Sequence, residues 1–262
     1  MSDAPQLGSP RLHLRRTDST NEQARALAAA GAPHGTLVTA TEQTAGRGRQ
    51  GRSWSAPPGS SLLCSLVLAP PTRMLPLAAA VAVCDAVDAA PGGAARGPAA
   101  IKWPNDVVLP GDADPPALAK LAGILVEARV GGLRENWAVL GIGLNAAVSI
   151  DALPAELQDT AATLGLPRHE LEPLLVRLLA ALTRRLAEGP VQTLAAWAPR
   201  DALKGRRIAW SPPGADAGQT SGSGVAQGID GDGRLLVELD GGGRTALGSG
   251  EVHLRPLGAS GP

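Results

Sequence analysis

Three arginines, Arg47, Arg49 and Arg52, alternate with Gly46, Gly48 and Gly51 inside EQTAGRGRQGRSW, residues 42–54. Glycine lets a backbone turn sharply and bring its N–H groups close to an anion. Guanidinium adds a planar, permanently charged fork that grips phosphate or carboxylate oxygens. In a chain whose formal net charge is zero, such a loop suits a polyanion; the plainer reading is a solvated Arg/Gly linker. The flanking runs TLVTATE and SLLCSLVLA read as strands, which favours a held loop. GRGRQG also spells G-x-G-x-x-G, but Arg-Ser-Trp-Ser-Ala-Pro-Pro after Gly51 does not open the helix that a dinucleotide fold requires. The Walker pattern is missing too.

A second segment, IKWPNDVVL at residues 101–109, sets Asp106 behind a Pro-Asn turn. A carboxylate on a tight bend beside arginines can orient a metal ion or a reacting group, although Pro-Asn-Asp is also simply a good turn. Lysine usage bears on the choice. Only three of 24 basic residues are Lys, at 102, 120 and 204, and a compact ammonium suits a single reacting oxygen better than a fork. Lys120 opens KLAGILVE, residues 120–127, in which Gly123 either leaves room for a ligand or packs against a neighbour. LGIGLN, residues 140–145, ends a buried strand with two glycines and Asn145, and packing and turn roles are its default. Asn is scarce as well: three of the four, Asn21, Asn105 and Asn145, fall in the segments of interest.

These segments need a scaffold. Residues 1–10 are polar and Pro-containing and are expected to be disordered. RLHLRR (11–16) reads as a short strand, and DSTNEQARALAAAG as a helix closed by Gly31, with Ser19-x-x-Glu22 as a capping box. Strands at 36–42 and 61–69 flank the arginine loop, and an Ala-rich helix covers about 75–90. IKW and VVL are strands about the Pro-Asn-Asp turn. KLAGILVEARV and WAVLGIGLN alternate as two further strands, joined around Gly131-Gly132. Residues 169–189 have helical spacing and a glycine stop. From Lys204, RRIAW, SGVAQGI, RLLVEL, RTAL and EVHL are short strands between Gly-rich turns, the pattern of a small β-barrel. The order is not a repeating βαβ. The expected class is therefore α+β: a mixed, mostly antiparallel sheet with helices over residues 11–203, then a barrel over 204–262.

Composition narrows the function. Apolar residues make up 44% and charged residues 18%, enough for a real core. With no Phe or Tyr, that core is Ala, Leu and Val, and platforms for stacking single-stranded nucleic acid are few. Zero net charge argues against a phosphate-neutralising surface. Cys64 and Cys84 sit in apolar runs and read as buried thiols. Metal-ligand spacing is absent, so metal ligands are left unassigned. No run of about 18 apolar residues and no signal peptide appear, so a cytoplasmic protein without a membrane partner is expected.

Taken in order, DSTN (18–21), EQTAGRGRQGRSW (42–54), KWPND (102–106), KLAGILVE (120–127) and GIGLN (141–145) resemble the biotin protein ligases, with a weaker match in SGEVHLRPL near the C-terminus. The pairing of GRGR-x-GR with KWPND is the specific part. The resemblance implies a catalytic domain related to class II synthetases, followed by an SH3-like barrel. It also implies two steps, with ATP and Mg2+ as cofactors. Biotin carboxylate attacks the α-phosphorus of ATP, giving biotinyl-5′-AMP and pyrophosphate; a lysine of a biotin carboxyl carrier domain then takes the biotinyl group and AMP leaves. On matching positions, Ser19, Thr20 and Asn21 would contact the biotin ring. Gln43 and Gly123 would lie beside that site, with the backbone around Arg47, Gly48 and Arg49 lining it. Arg49 and Arg52 would hold phosphates, Trp54 would stack near the adenylate, and Asn105 and Asn145 would serve the nucleotide. Lys120 would bridge biotin carboxylate and phosphate, and Asp106 would assist the acceptor amine.

Departures accompany the match. Gln50 stands where many members carry another Arg, and residues 146–165 match loosely, which leaves the adenylate-covering loop unassigned. The stretch before Asp18 leaves no room for the helix-turn-helix that some relatives carry, and this speaks against a biotin-sensing repressor. A lipoate or octanoyl transferase shares the fold but lacks the GRGR-x-GR and KWPND combination.

Overall fold

The computed structural model describes residues 6–72, 74–93, 97–111, 117–129, 136–211 and 221–249, together with the backbone of 253–256. Its larger sheet holds seven strands: β1 (Arg11–Thr17), β2 (Leu37–Gln43), β3 (Ser61–Leu68), β4 (Ala100–Lys102), β5 (Asp106–Pro110), β6 (Leu118–Arg129) and β7 (Trp137–Asn145). They lie in the order β1-β2-β3-β7-β6-β5-β4. Only β1 and β2 run parallel; every other neighbouring pair is antiparallel. The expected mixed, mostly antiparallel sheet is the one found.

Burial explains why β3 is a continuous apolar run rather than an alternation. Leu62, Cys64, Leu66 and Leu68 face the main core, where α2 (Leu75–Asp88) packs. Val67 points the other way, to Ala24 and Ala28 of α1 (Thr20–Ala29). A strand covered on both faces has no polar side to show. Alanines and valines make α2 narrow enough to lie close to the sheet, and each Leu buried there contributes about 1.5–3 kcal/mol. After a four-residue α3 (Ala155–Gln158), α4 (Leu171–Leu186) and α5 (Pro190–Trp197) stack on α2. Asp85 of α2 holds this layer together by accepting from Arg184 (2.7 Å), Arg185 (2.8 Å) and Arg200 (3.0 Å).

The second sheet comprises β8 (Arg207–Ser211), β9 (Gly222–Ile229), β10 (Leu235–Leu239), β11 (Arg244–Leu247) and β12 (His253–Pro256). It is antiparallel throughout, in the order β11-β10-β9-β8-β12, the strand set of the expected small SH3-like unit. It docks beside the first sheet's β4–β5 edge, where Trp103 Nε1 donates to the Gly233 carbonyl (2.9 Å).

Several local expectations are corrected. Residues 6–10 are placed rather than disordered: Leu7 is buried, and the Gly8 N–H bonds the Gly35 carbonyl at 2.9 Å. Ser19 caps α1 by backbone position only, with no side-chain cap hydrogen bond. In a capping box Glu22 would reach back to the Ser19 N–H, but the Asp18 carboxylate already takes that donor at 2.6 Å. Glu22 turns instead to Arg25 and Arg47. The C-terminal end of α1 does follow the reading. Gly31, at φ +87°, and Ala32 return hydrogen bonds to Ala28 and Leu27, a Schellman closure. The short α3 and α5 were not anticipated, and the Gly131-Gly132 connection lies outside the described residues.

Candidate active site

A cavity of about 410 Å3 opens on the α1 face of the large sheet. Glycines on β7 make its floor possible. A Cβ on Gly141 would come within 1.9 Å of Asn21 Oδ1, and one on Gly143 within 2.6 Å of the Trp54 ring. The packing role read for LGIGLN is thus real, and what packs there are two side chains of the cavity wall.

At the α1 end the wall is neutral and internally bonded. The Thr20 N–H and hydroxyl both donate to Gln43 Oε1, at 2.7 and 3.0 Å. The Ser65 hydroxyl is shared between Asn21 Oδ1 (2.6 Å) and Thr20 Oγ1 (2.8 Å). Asn21 Nδ2 donates to Glu127 Oε2 at 2.8 Å. Ser19, Thr20 and Asn21 are all buried. Arg47 lines this end but spends its charge on Glu22 at 2.7 Å, with Glu127 at 3.7 Å.

The arginine segment that forms the opposite wall is a tight reversal, not a linker. The Gly48 N–H bonds the Arg52 carbonyl (2.7 Å) and the Trp54 N–H the Gly46 carbonyl (2.9 Å), with Arg47 and Ser53 bridged between them. Gln50 (φ 55°) and Gly51 (φ 76°) take left-handed conformations at the tip. The ladder brings Trp54 back over the sheet against Gly123 and Gly143. The room beside Gly123, read as space for a ligand, is occupied in this structure by the Trp54 ring and the Lys120 ammonium.

Cations gather at that end. Arg49 donates to Asn105 Oδ1 (3.0 Å) and to the Ser249 carbonyl of the smaller domain. Asn105 is fixed in turn by donating to the Ile124 carbonyl at 2.9 Å. Lys120 pairs with Asp106 at 2.8 Å and lies 5.8 Å from the Trp54 ring centroid. Lys102 also reaches the wall, from the β4 position paired with Asp106 of β5. Burial lowers the pKa of Lys102; Asp106 opposes that shift, and the positive charges of Lys120 and Arg52 add to it. Burial lowers the pKa of Arg49 as well, against Asp106 and with Arg52.

The structure therefore brings together Ser19, Thr20, Asn21, Gln43, Arg47, Gly48, Arg49, Arg52, Trp54, Asn105, Asp106, Lys120 and Gly123 on one cavity. Asn145 is the exception. It is buried off the wall: Ser61 Oγ donates to its Oδ1 (3.3 Å), and its Nδ2 donates to the Ala162 carbonyl (3.1 Å), tying residues 160–164 to the end of β7. Those residues then run beside Lys120, whose N–H bonds the Thr160 carbonyl at 2.7 Å, and Leu157 and Thr160 join the cavity wall. Sequence reasoning missed these two, along with Ser65 and Glu127, and gave Lys102 no role. A serine inside the run SLLCSLVLA was the available signal for Ser65.

Residues 13–145 match the model of the Biotin/lipoate A/B protein ligase family. The chain belongs to that family. Residues 215–255 further match the biotin protein ligase C terminal domain. Among relatives in the family, the biotin--[acetyl-CoA-carboxylase] ligase of Paracoccus denitrificans is 37% identical over 239 residues, covering 86% of this chain and 92% of that protein. Its namesake in Mycobacterium tuberculosis is 36% identical over 259 residues, covering 92% and 88%. A bifunctional ligase/repressor of Bacillus spizizenii is 40% identical over 152 residues, and the match covers 43% of that longer protein. The biotin protein ligase of Aquifex aeolicus in complex with biotin and ATP superposes with a TM-score of 0.72 at 25% identity, covering 95% of this chain and all of that one.

Proposed function

We infer that the protein is a biotin protein ligase that makes biotinyl-5′-AMP from biotin and ATP, then passes biotin to a lysine of a carboxylase's carrier domain. One observation carries the assignment of parts: the Lys120–Asp106 pair, at 2.8 Å, lies in the same cavity as the neutral network of Thr20, Asn21 and Gln43 and the cations of the arginine loop. A ureido ring suits the neutral end, where donors and acceptors already have fixed directions. A triphosphate suits the cationic end.

Biotin carboxylate and ATP repel each other, so positive groups must screen both and stabilise charge growing at phosphorus. Arg49 and Arg52 take the phosphates, and Lys120 bridges carboxylate and α-phosphate. The Lys120–Asp106 pair is partly exposed, with side-chain accessibilities of 40% and 19%, and such pairs contribute about 0–1 kcal/mol. Exchanging Asp106 for a phosphate oxygen therefore costs Lys120 little. The released carboxylate is then able to accept a proton from the acceptor lysine before its nitrogen attacks the mixed anhydride. Holding both reactants on one rigid sheet supplies much of the remaining acceleration.

Among the described residues, Asp106 is the one carboxylate on the cavity wall, and no cluster of three His, Cys, Asp or Glu side chains suited to a metal occurs. That donor set fits Mg2+ carried in on the nucleotide's phosphates and touching at most one protein carboxylate, where it would neutralise phosphate charge.

Incubation with biotin and Mg-ATP should release pyrophosphate and leave enzyme-bound biotinyl-AMP, and adding a biotin carboxyl carrier domain should label one lysine. Pyrophosphate release with lipoate in place of biotin, and none with biotin, would overturn the reading.

A further inference from the structure

Beyond the residues placed above, the cationic end holds one side chain without an assigned task. Arg47 is held by Glu22, Arg49 by Asn105 and the Ser249 carbonyl, and Lys120 by Asp106. The Lys102 side chain reaches the same wall but makes no hydrogen bond or ion pair among the described residues. Its position is not incidental. Register sets Lys102 of β4 opposite Asp106 of β5, and Lys120 of β6 reaches the Asp106 carboxylate at 2.8 Å, so two lysines on the outer strands of a three-strand set share one central carboxylate position. Lys102 and Lys120 lie close enough for their charges to act on one another, and among the described residues Asp106 is the single carboxylate on the wall. Excess positive charge in a half-buried cavity is unfavourable until an anion enters. One phosphate shared with Lys120 does not meet the surplus; a group with several negative oxygens does.

We propose that Lys102 holds the pyrophosphate end of the nucleotide during adenylation, as the cation that stabilises the leaving group. The inference rests on the biotin ligase reading. In the step concerned, a biotin carboxylate oxygen forms a bond to the α-phosphorus, and the bond from that phosphorus to the oxygen bridging to the β-phosphate breaks. The electron pair goes to that oxygen, so negative charge grows on the departing pyrophosphate, where the Lys102 ammonium meets it. Burial lowers the pKa of the Lys102 amine, and an entering polyanion opposes that shift. The second step contains no pyrophosphate, and Lys102 takes no part in it.

The two half-reactions separate this role from others. With the full-length protein, Lys102→Gln should slow single-turnover biotinyl-AMP formation roughly tenfold to a hundredfold, the range expected for losing a hydrogen bond to a charged group. It should raise by a similar factor the pyrophosphate concentration needed to convert pre-formed biotinyl-AMP back to ATP. Transfer of biotin from pre-formed adenylate to a carrier domain should stay within about twofold of the parent protein. Lys102→Arg, which keeps the charge, should restore most of the adenylation rate. Slowed transfer with normal pyrophosphorolysis in Lys102→Gln would overturn the proposal and mark Lys102 as a proton acceptor on the amine side. Equal impairment of pyrophosphorolysis in Lys102→Arg and Lys102→Gln would overturn it too, since charge would not be what acts. No change in either half-reaction would leave Lys102 without a chemical role. Absence of pyrophosphate release by the parent protein would instead strike the biotin ligase reading itself.

Discussion

At the α1 end of the cavity, polar side chains answer one another: Ser65 to Asn21 and Thr20, Thr20 to Gln43, Asn21 to Glu127. At the arginine end, Lys102, Lys120, Arg49 and Arg52 share a wall with one carboxylate among the described residues, Asp106. The first arrangement is satisfied before any ligand arrives and presents fixed directions to an uncharged ring. The second holds more cations than carboxylates among its described residues, which on the proposed reading an anionic ligand would balance. On that reading, hydrogen-bond geometry would select the ligand at one end and charge would hold it at the other. This contrast fits a site that must recognise a vitamin specifically but must let pyrophosphate, and later AMP, leave.

The contrast can be broken by substitution. Lys120→Ala is expected to have the largest effect, a loss of roughly a thousandfold or more in biotinyl-AMP formation, since charge at the reacting phosphorus is then unmet. Its melting temperature should barely move, because a partly exposed pair adds little stability. Near-normal adenylate yield in a single-turnover assay would remove Lys120 from the mechanism. Next come the two β7 glycines. Gly143→Ala forces the Trp54 ring aside and Gly141→Ala forces Asn21 aside, each at about 1–3 kcal/mol of stability. Steady-state kinetics should show the first raising KM mainly for ATP and the second mainly for biotin; identical effects on both substrates would erase the distinction between the ends.

Ser65→Ala is a milder cut. It removes the hydroxyl shared by Thr20 and Asn21, so titration should show biotin affinity falling about tenfold while ATP affinity holds. Smallest is the response to salt. Raising ionic strength from about 0.1 M to 1 M shortens the screening length from roughly 10 Å to 3 Å. ATP binding should weaken several-fold and biotin binding should change less; the reverse order, measured by calorimetry, would mean that charge is placed at the wrong end.

Much of this architecture was legible in the chain, for a local reason. The Schellman closure at Gly31, the strands on either side of the arginine loop, the Ala-rich α2 and the Gly-punctuated strands of the smaller domain depend on residues a few positions apart. So does the capacity of alternating glycines and arginines to meet an anion. The capping box at Ser19 misled because Asp18, one residue earlier, competed for the same N–H. At Asn145 the amide ties a neighbouring segment to the end of β7, a tertiary contact that its residue type did not show.

What sequence could not supply is which distant side chains share a wall. Ser65 reaches Thr20 across 45 positions, Glu127 reaches Asn21 across 106, and Arg49 reaches Asn105 across 56. Lys102 and Lys120 come to the same wall as Asp106 only through the β4-β5-β6 register, which includes a one-residue shift at Val107/Val108. Residue types and short spacings determined what chemistry the chain can perform. The pairing of strands far apart in sequence decided where charge accumulates and where it is cancelled, because Coulomb and hydrogen-bond energies depend on separation in space.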